Sequence, residues 1–118
     1  MKVAINRCYG GFRLSDKAIE MCIEKGMSVS DNWEDRNVDF IKETGKRNFG
    51  YKYYAINDYD LGFRTNPIVI EVVELLGKEA NTDVSEIEII EIPFDSTNGW
   101  EITEYDGIER IEEFHRSW

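Results

Sequence analysis

The residues best suited to chemistry in this chain are a glycine pair and the cations around it. Gly10 and Gly11 follow a short β-prone segment, and Ser15 is placed to cap the helix that comes next. Glycine lets backbone amides approach a phosphate, and a helix N-terminus adds partial positive charge. Arg7 and Arg13 flank the pair. The arrangement predicts an anion site, with an ordinary turn as the alternative because no GxGxxG or GxxxxGK[ST] motif is present.

A third arginine and the last residues of the chain extend this candidate site. Arg64 precedes a predicted helix start, where its guanidinium suits a phosphate or carboxylate; an ordinary ion pair is the alternative. His115 could bind or polarise a ligand, although a histidine on the inner face of a helix is more often structural. The predicted ligand-binding residues are Asn6, Arg7, Tyr9, Gly10, Gly11, Arg13, Arg64, His115 and Arg116.

Catalytic and metal-binding patterns are missing from the sequence. It has one histidine and no GxSxG, CxxC or HExxH motif. Asp58 and Asp60 lack the spacing of an EF-hand, so a solvated turn is favoured there. The aromatic residues within 49–63 could stack on a base or fill a core or a homo-oligomer interface. We predict no catalytic residue, no metal ligand and no cofactor, and we favour a binding protein over an enzyme.

The charge of the chain restricts its partners. The 118 residues include 24 acidic and 14 basic ones, for a net charge of -10. Such a surface repels phosphate backbones, so direct nucleic-acid binding is disfavoured and a basic partner is favoured; simple solubility is the alternative. Cys22 falls on the apolar face of a predicted helix, which favours a reduced thiol. Since no apolar run approaches the ~20 residues of a membrane span, we expect a cytoplasmic protein that does not enter membranes.

Hydrophobic periodicity predicts one compact α/β domain: a mixed sheet of about four strands with helices packed on at least one face. Alternation in the segment 86–92 slips at Ile90, which indicates a bulge or a strand covered on both faces. Residues 93–99 are typical of a hairpin connection, so we expect the strand at 86–92 to pair antiparallel with the strand at 100–105. Asp106 with Glu109 resembles a capping box for a last helix. The predicted strands are 2–7, 51–57, 86–92 and 100–105, and the predicted helices are 15–26, 67–80 and 106–118, with a short helix at 36–43.

Three segments together resemble a family of small proteins encoded in tailed bacteriophages and prophages. They are VAINRCYGGFRLS at 3–15, RTNPIVIEVVELLGKEAN at 64–81, and EIP followed by WEITEYDGIERIEEFHRSW within 91–118. The resemblance covers most of the chain except 26–63. It implies a phage accessory protein that acts in the bacterial cytoplasm, and it supplies no catalytic residues.

Because accessory proteins of this size are often counter-defence factors, the resemblance favours two binding hypotheses. In the first, the arginines, the glycine pair and a stacking aromatic residue sequester a small anionic, nucleotide-like immune signal. In the second, the acidic surface docks on the basic nucleic-acid channel of a host defence nuclease. A nucleotide-processing enzyme is a third alternative, with no motif in its favour. Of the two binding hypotheses, we favour sequestration of the nucleotide-like signal from the sequence.

Overall fold

The computed structural model describes residues 1–43, 52–93 and 99–113. The α/β class predicted from the sequence is confirmed. The strands form three small sheets, with orders β1-β5, β2-β3-β4 and β6-β7, rather than one sheet of four. In chain order the elements are β1 (Lys2–Asn6), α1 (Asp16–Glu24), β2 (Val29–Ser30), β3 (Phe40–Lys42), β4 (Tyr53–Ala55), α2 (Leu61–Arg64), α3 (Pro67–Leu76), a 3₁₀ turn (Gly77–Ala80), β5 (Ile87–Glu91), β6 (Trp100–Tyr105) and β7 (Ile108–Glu113).

The antiparallel pair of β1 and β5 forms the central layer, and both of its faces are covered. Ile87 and Ile89 of β5 pack on the core that α1 and α3 share. Ile90 and Ile92 lie on the opposite face, in a second cluster with Val3. The register is continuous from Lys2↔Glu91 to Asn6↔Ile87. The irregular alternation at Ile90 therefore reflects a strand buried on two sides and not a bulge.

The two longer helices follow the capping signals of the sequence. The Ser15 hydroxyl accepts a hydrogen bond from the Ala18 amide at 3.1 Å, and Asn66 caps α3 through the Ile68 amide at 2.9 Å. The α-helical part of α3 ends at Leu76, because Gly77 has a φ of 56° and the chain continues as a 3₁₀ turn. The predicted helix at 67–80 is thus confirmed in its start and divided at its end.

The final predicted helix is wrong where the structure describes it, because residues 108–113 form a strand. β6 pairs with β7 in a hairpin whose two turn residues, Asp106 and Gly107, have φ of 52° and 87°. Positive φ at both positions defines the type I′ turn that Asp-Gly favours. The expected pairing of 86–92 with 100–105 is wrong for the same reason: β6 has β7 as its partner. Trp100 and Ile111 of the hairpin pack on the outer face of β1.

The segment 36–43, predicted as a short helix, contains strand β3 instead. β3 lies between β2, to which it is parallel, and β4, to which it is antiparallel. Phe40 and Ile41 are both fully buried, which a two-sided strand satisfies better than a charged short helix. The strand predicted at 51–57 is confirmed in its central part, where β4 covers Tyr53–Ala55, and Tyr51 lies outside the described residues. Within the described ranges, none of the helices has the length and apolar character needed to span a membrane.

Candidate functional site

A buried ion pair joins the C-terminal hairpin to the rest of the molecule. Asp60 caps the short helix α2, accepting a hydrogen bond from the Gly62 amide at 3.0 Å, and α2 places Arg64 at its last position. The Arg64 guanidinium donates to both carboxylate oxygens of Glu109 in β7, at 2.6 and 2.7 Å. The side chains are only 3% and 7% exposed. Arg64 also donates to the carbonyls of Ala4 and Asp58, so four of its five N–H donors are committed inside the protein.

Asn6 completes the same buried network at the end of β1. Its backbone amide donates to Glu109 Oε1 at 2.8 Å, and its side-chain amide donates to the carbonyls of Gly107 and Cys8, both at 2.6 Å. Its Oδ1 accepts from the Glu86 amide at 2.9 Å. Asn6 is fully buried. These contacts give Asn6 a structural role, because they hold β1, the start of β5 and the hairpin turn together. Its role in ligand binding stays a prediction.

The loop with the glycine pair lies directly against the hairpin turn. A Cβ added to Gly107 would lie 2.5 Å from the Gly10 nitrogen and closer still to that of Gly11. A Cβ on Gly10 would lie 2.7 Å from the Val84 carbonyl oxygen. These backbones approach more closely than a side chain would permit, which explains Gly10 and Gly107. Gly11 has open space where a Cβ would lie, and its φ of 93° is what favours glycine there. Gly107 occupies space beside the amides that a phosphate would need.

The other two predicted arginines point to different parts of the surface. Arg7 donates to Glu88 Oε2 at 2.9 Å and, through Nη1, to the Glu109 carbonyl at 3.3 Å. Arg13 donates to the Tyr53 carbonyl at 2.8 Å, and its guanidinium carbon lies 5.0 Å from the centre of the Tyr54 ring. Neither arginine lines the cavity described next.

A cavity of about 610 Å³ opens where the glycine loop, the 58–60 turn and the hairpin meet. Its wall carries four carboxylates and one guanidinium, and that guanidinium is already paired with Glu109. The remaining three carboxylates give the wall a net negative charge. The lining residues are Tyr9, Gly10, Gly11, Phe12, Asp58, Tyr59, Arg64, Glu104, Asp106, Gly107 and Glu109.

Two of the lining carboxylates are held in unfavourable surroundings. Glu104 lies directly opposite Glu109 in the β6–β7 register, and like charges at opposed positions of a strand pair are destabilising. Glu104 Oε1 accepts a hydrogen bond from the Gly107 amide at 2.7 Å, which partly offsets this. Burial raises the pKa of the Asp58 carboxyl, and the nearby Arg64 charge only partly opposes that rise. A cation in the cavity would relieve both effects.

The structure thus brings together four of the predicted site residues, Tyr9, Gly10, Gly11 and Arg64, around one cavity. His115 and Arg116 lie outside the described residues. The sequence reasoning treated Asp58 as part of a solvated turn and missed the lining residues of the hairpin, Glu104, Asp106 and Glu109. The Asp-Gly pair at 106–107 was the available signal, because a type I′ turn there places Glu104 and Glu109 opposite each other.

Among the described residues, no group of three or more histidine, cysteine, aspartate or glutamate side chains is arranged to hold a metal ion. Comparison of the chain with protein-family models, with curated proteins and with solved structures found no match.

Proposed function

We propose that this protein is a phage counter-defence factor that acts in the bacterial cytoplasm by docking an acidic face on the basic nucleic-acid channel of a host defence nuclease. The phage context rests on the resemblance of segments 3–15, 64–81 and 91–118. The mode of action rests on the charge of the cavity wall and of the hairpin beside it.

The main support for this mode of action is a group of hairpin carboxylates that have no cationic partner among the described residues. Glu101, Glu104, Asp106 and Glu112 are exposed and form no salt bridge with any residue in the described ranges. By contrast, the two acidic residues of α3 are paired, with Lys25–Glu71 at 2.9 Å and Lys2–Glu74 at 2.8 Å. Uncompensated negative charge on an exposed surface favours fast association with a basic surface.

The nucleotide-sequestering hypothesis receives less support from the same geometry. Within the described ranges, Arg64 is the one arginine on the cavity wall, and its charge is neutralised by Glu109. A phosphate entering the cavity would meet the carboxylates of Asp58, Glu104 and Asp106, and no described residue of the wall offers it an unpaired guanidinium, which is electrostatically unfavourable. Docking on a cationic protein surface is therefore the preferred function.

The test is competition with DNA on purified host defence nucleases. Fluorescence anisotropy of labelled duplex DNA would report its displacement from the channel as the protein is added. We expect displacement from the target nuclease to weaken at least tenfold between about 0.05 and 0.5 M salt, because screening removes the attraction. Glu101→Gln/Glu112→Gln on the hairpin should weaken it several-fold, whereas Glu71→Gln/Glu74→Gln, with the same change in net charge on the opposite side of the molecule, should not.

Two results would contradict this function. One is displacement that is independent of salt or equally reduced by both double variants. The other is a thermal shift of several degrees with a cyclic nucleotide or an ADP-ribose derivative, which would favour signal sequestration instead.

A further inference from the structure

The cavity beside the hairpin has the chemistry of a site for one organic cation. Of the aromatic side chains in its wall, Tyr9 and Tyr59 are the exposed ones, with 66% and 75% of their surfaces accessible. Tyrosine is enriched where proteins bind other proteins, since it buries a large area with little loss of side-chain freedom. The volume of about 610 Å³ lies within the usual range of ligand pockets.

The wall of the cavity already contains a guanidinium in the arrangement that a second one would need. The guanidinium carbon of Arg64 lies 3.5 Å from the centre of the Phe12 ring, and its two terminal nitrogens pair with the Glu109 oxygens. A planar guanidinium both stacks on an aromatic face and pairs with carboxylates through several parallel donors. The tyrosine rings and the carboxylates of Asp58, Glu104 and Asp106 offer the same two kinds of contact to an incoming group.

We infer that this cavity receives an arginine side chain presented by the basic surface of the partner protein, an inference that rests on the proposed function and identifies the contact at its centre. The guanidinium pairs with Glu104 and Asp106 and stacks on Tyr59 or Tyr9. Its charge relieves the repulsion between the opposed carboxylates of Glu104 and Glu109. An arginine is favoured over a lysine because an ammonium group cannot stack its plane on a ring and pair with two carboxylates at once.

The test is a titration of the full chain, followed by amide chemical shifts, with three probes used separately. They are a blocked Gly-Arg-Gly tripeptide, its Gly-Lys-Gly counterpart and magnesium chloride. We expect saturable shifts at Gly10, Gly11 and Gly107 with the arginine peptide, with a Kd on the order of 1 mM, and at least fivefold weaker binding of the lysine peptide.

Four variants distinguish binding of the peptide in the cavity from a general effect of the protein's net charge. Glu104→Gln keeps an acceptor for the Gly107 amide, and Asp106→Asn keeps a residue that tolerates the type I′ turn. This double variant should lose at least tenfold in affinity for the arginine peptide. Glu101→Gln/Glu112→Gln neutralises an opposed pair on the outer face of the same hairpin, and it should change affinity less than twofold. Tyr59→Leu should weaken binding about threefold, whereas Tyr59→Phe, which keeps the ring face, should not.

Equal losses in the two charge variants, no saturable shift with the arginine peptide, or equally strong shifts with magnesium would each overturn the inference. These failures differ from failure of the proposed function. DNA displacement that survives in Glu104→Gln/Asp106→Asn at wild-type strength would remove the arginine contact and leave the docking function standing. Peptide binding without DNA displacement from any nuclease would remove the docking function and leave the cavity as an arginine site for another partner.

Discussion

The buried pair of Arg64 and Glu109 makes the strongest prediction about stability. Both side chains are almost fully buried, and they are joined by two short, parallel hydrogen bonds. Removing one member leaves the other charge in the interior, which typically costs about 3–5 kcal/mol. Against a total stability of about 5–15 kcal/mol for a domain, this is a large fraction. At roughly 4 °C per kcal/mol, Tm should fall by about 12–20 °C.

The measurement is a double-mutant cycle in urea, followed by far-UV circular dichroism. Arg64→Met and Glu109→Gln should each lower the free energy of unfolding by about 3–5 kcal/mol. The double variant has neither charge of the pair, and its glutamine can still accept the hydrogen bond from the Asn6 amide. It should therefore be less destabilised than the sum of the single variants by about 2–3 kcal/mol, the upper range of coupling between contacting residues.

Urea is preferred to guanidinium because it does not screen charges. If each single variant lowered the free energy of unfolding by less than about 1 kcal/mol, the pair would contribute no more than an exposed surface salt bridge does. That result, or additivity of the two changes, would refute the conclusion that this pair joins the hairpin stably to the rest of the molecule. The same reasoning makes Arg64→Ala a poor test of ligand binding, because loss of binding would follow from loss of the fold.

Three further predictions concern single side chains. Gly107→Ala should destabilise the protein well beyond Gly99→Ala, because both glycines have positive φ but only Gly107 abuts another backbone; matched urea unfolding curves give the difference, and equal losses would contradict the close contact. Burial raises the pKa of the Cys22 thiol to about 12, so iodoacetamide at pH 8 should label the half-buried Cys8 and spare Cys22 until urea is added; mass spectrometry that finds both labelled in the native protein would contradict this. Burial raises the pKa of Asp58 in the folded state, so the ionised carboxylate opposes folding at pH 7. Asp58→Asn should therefore raise Tm at pH 7, and this gain in Tm should shrink as the pH falls towards 4, where the carboxyl becomes protonated in both states. A gain in Tm that stays constant or grows as the pH falls would be inconsistent with this reasoning.

Local signals in the sequence were sufficient for α1, for the start of α3 and for the central strands β1 and β5. Ser15 and Asn66 cap α1 and α3 as expected, because capping depends on the side chain and the amides next to it. The irregular pattern at Ile90 likewise predicted the two covered faces of β5 as one of two alternatives. These features depend on residues close in the chain, which is why a single sequence reveals them.

The hairpin was mispredicted because one residue supported two different local structures. Asp106 suits both a helix N-cap and a type I′ turn, and the spacing of Ile108 and Ile111 is compatible with a helix. Tertiary contacts favour the strand over the helix: Ile111 packs on β1, and Glu109 forms an ion pair with Arg64 of α2, which is distant in the sequence. Both contacts require Glu109 and Ile111 to lie on the same, inward face of one strand.

Local patterns predicted only part of the candidate site, because its other part depends on tertiary contacts of the hairpin. Periodicity placed Gly10, Gly11 and Arg64 near element ends, and they do line one cavity. The sign of the charge of this cavity depends on which carboxylates line it, and the hairpin is the element that places Glu104 and Asp106 there. Contacts between residues so far apart in the sequence produce no local pattern that could predict them.

The bonding of Asn6 to Glu109 has a consequence for the order in which the chain acquires its structure. The two residues are 103 positions apart. The outer face of β1 is therefore covered fully only when the distant β6–β7 hairpin packs on it. Contacts of such long range slow folding, since a long loop must close before they form. A nascent or truncated chain that lacks the hairpin would leave Val3 and Ile5 open to water, and during synthesis it would be a substrate for chaperones or a seed for aggregation.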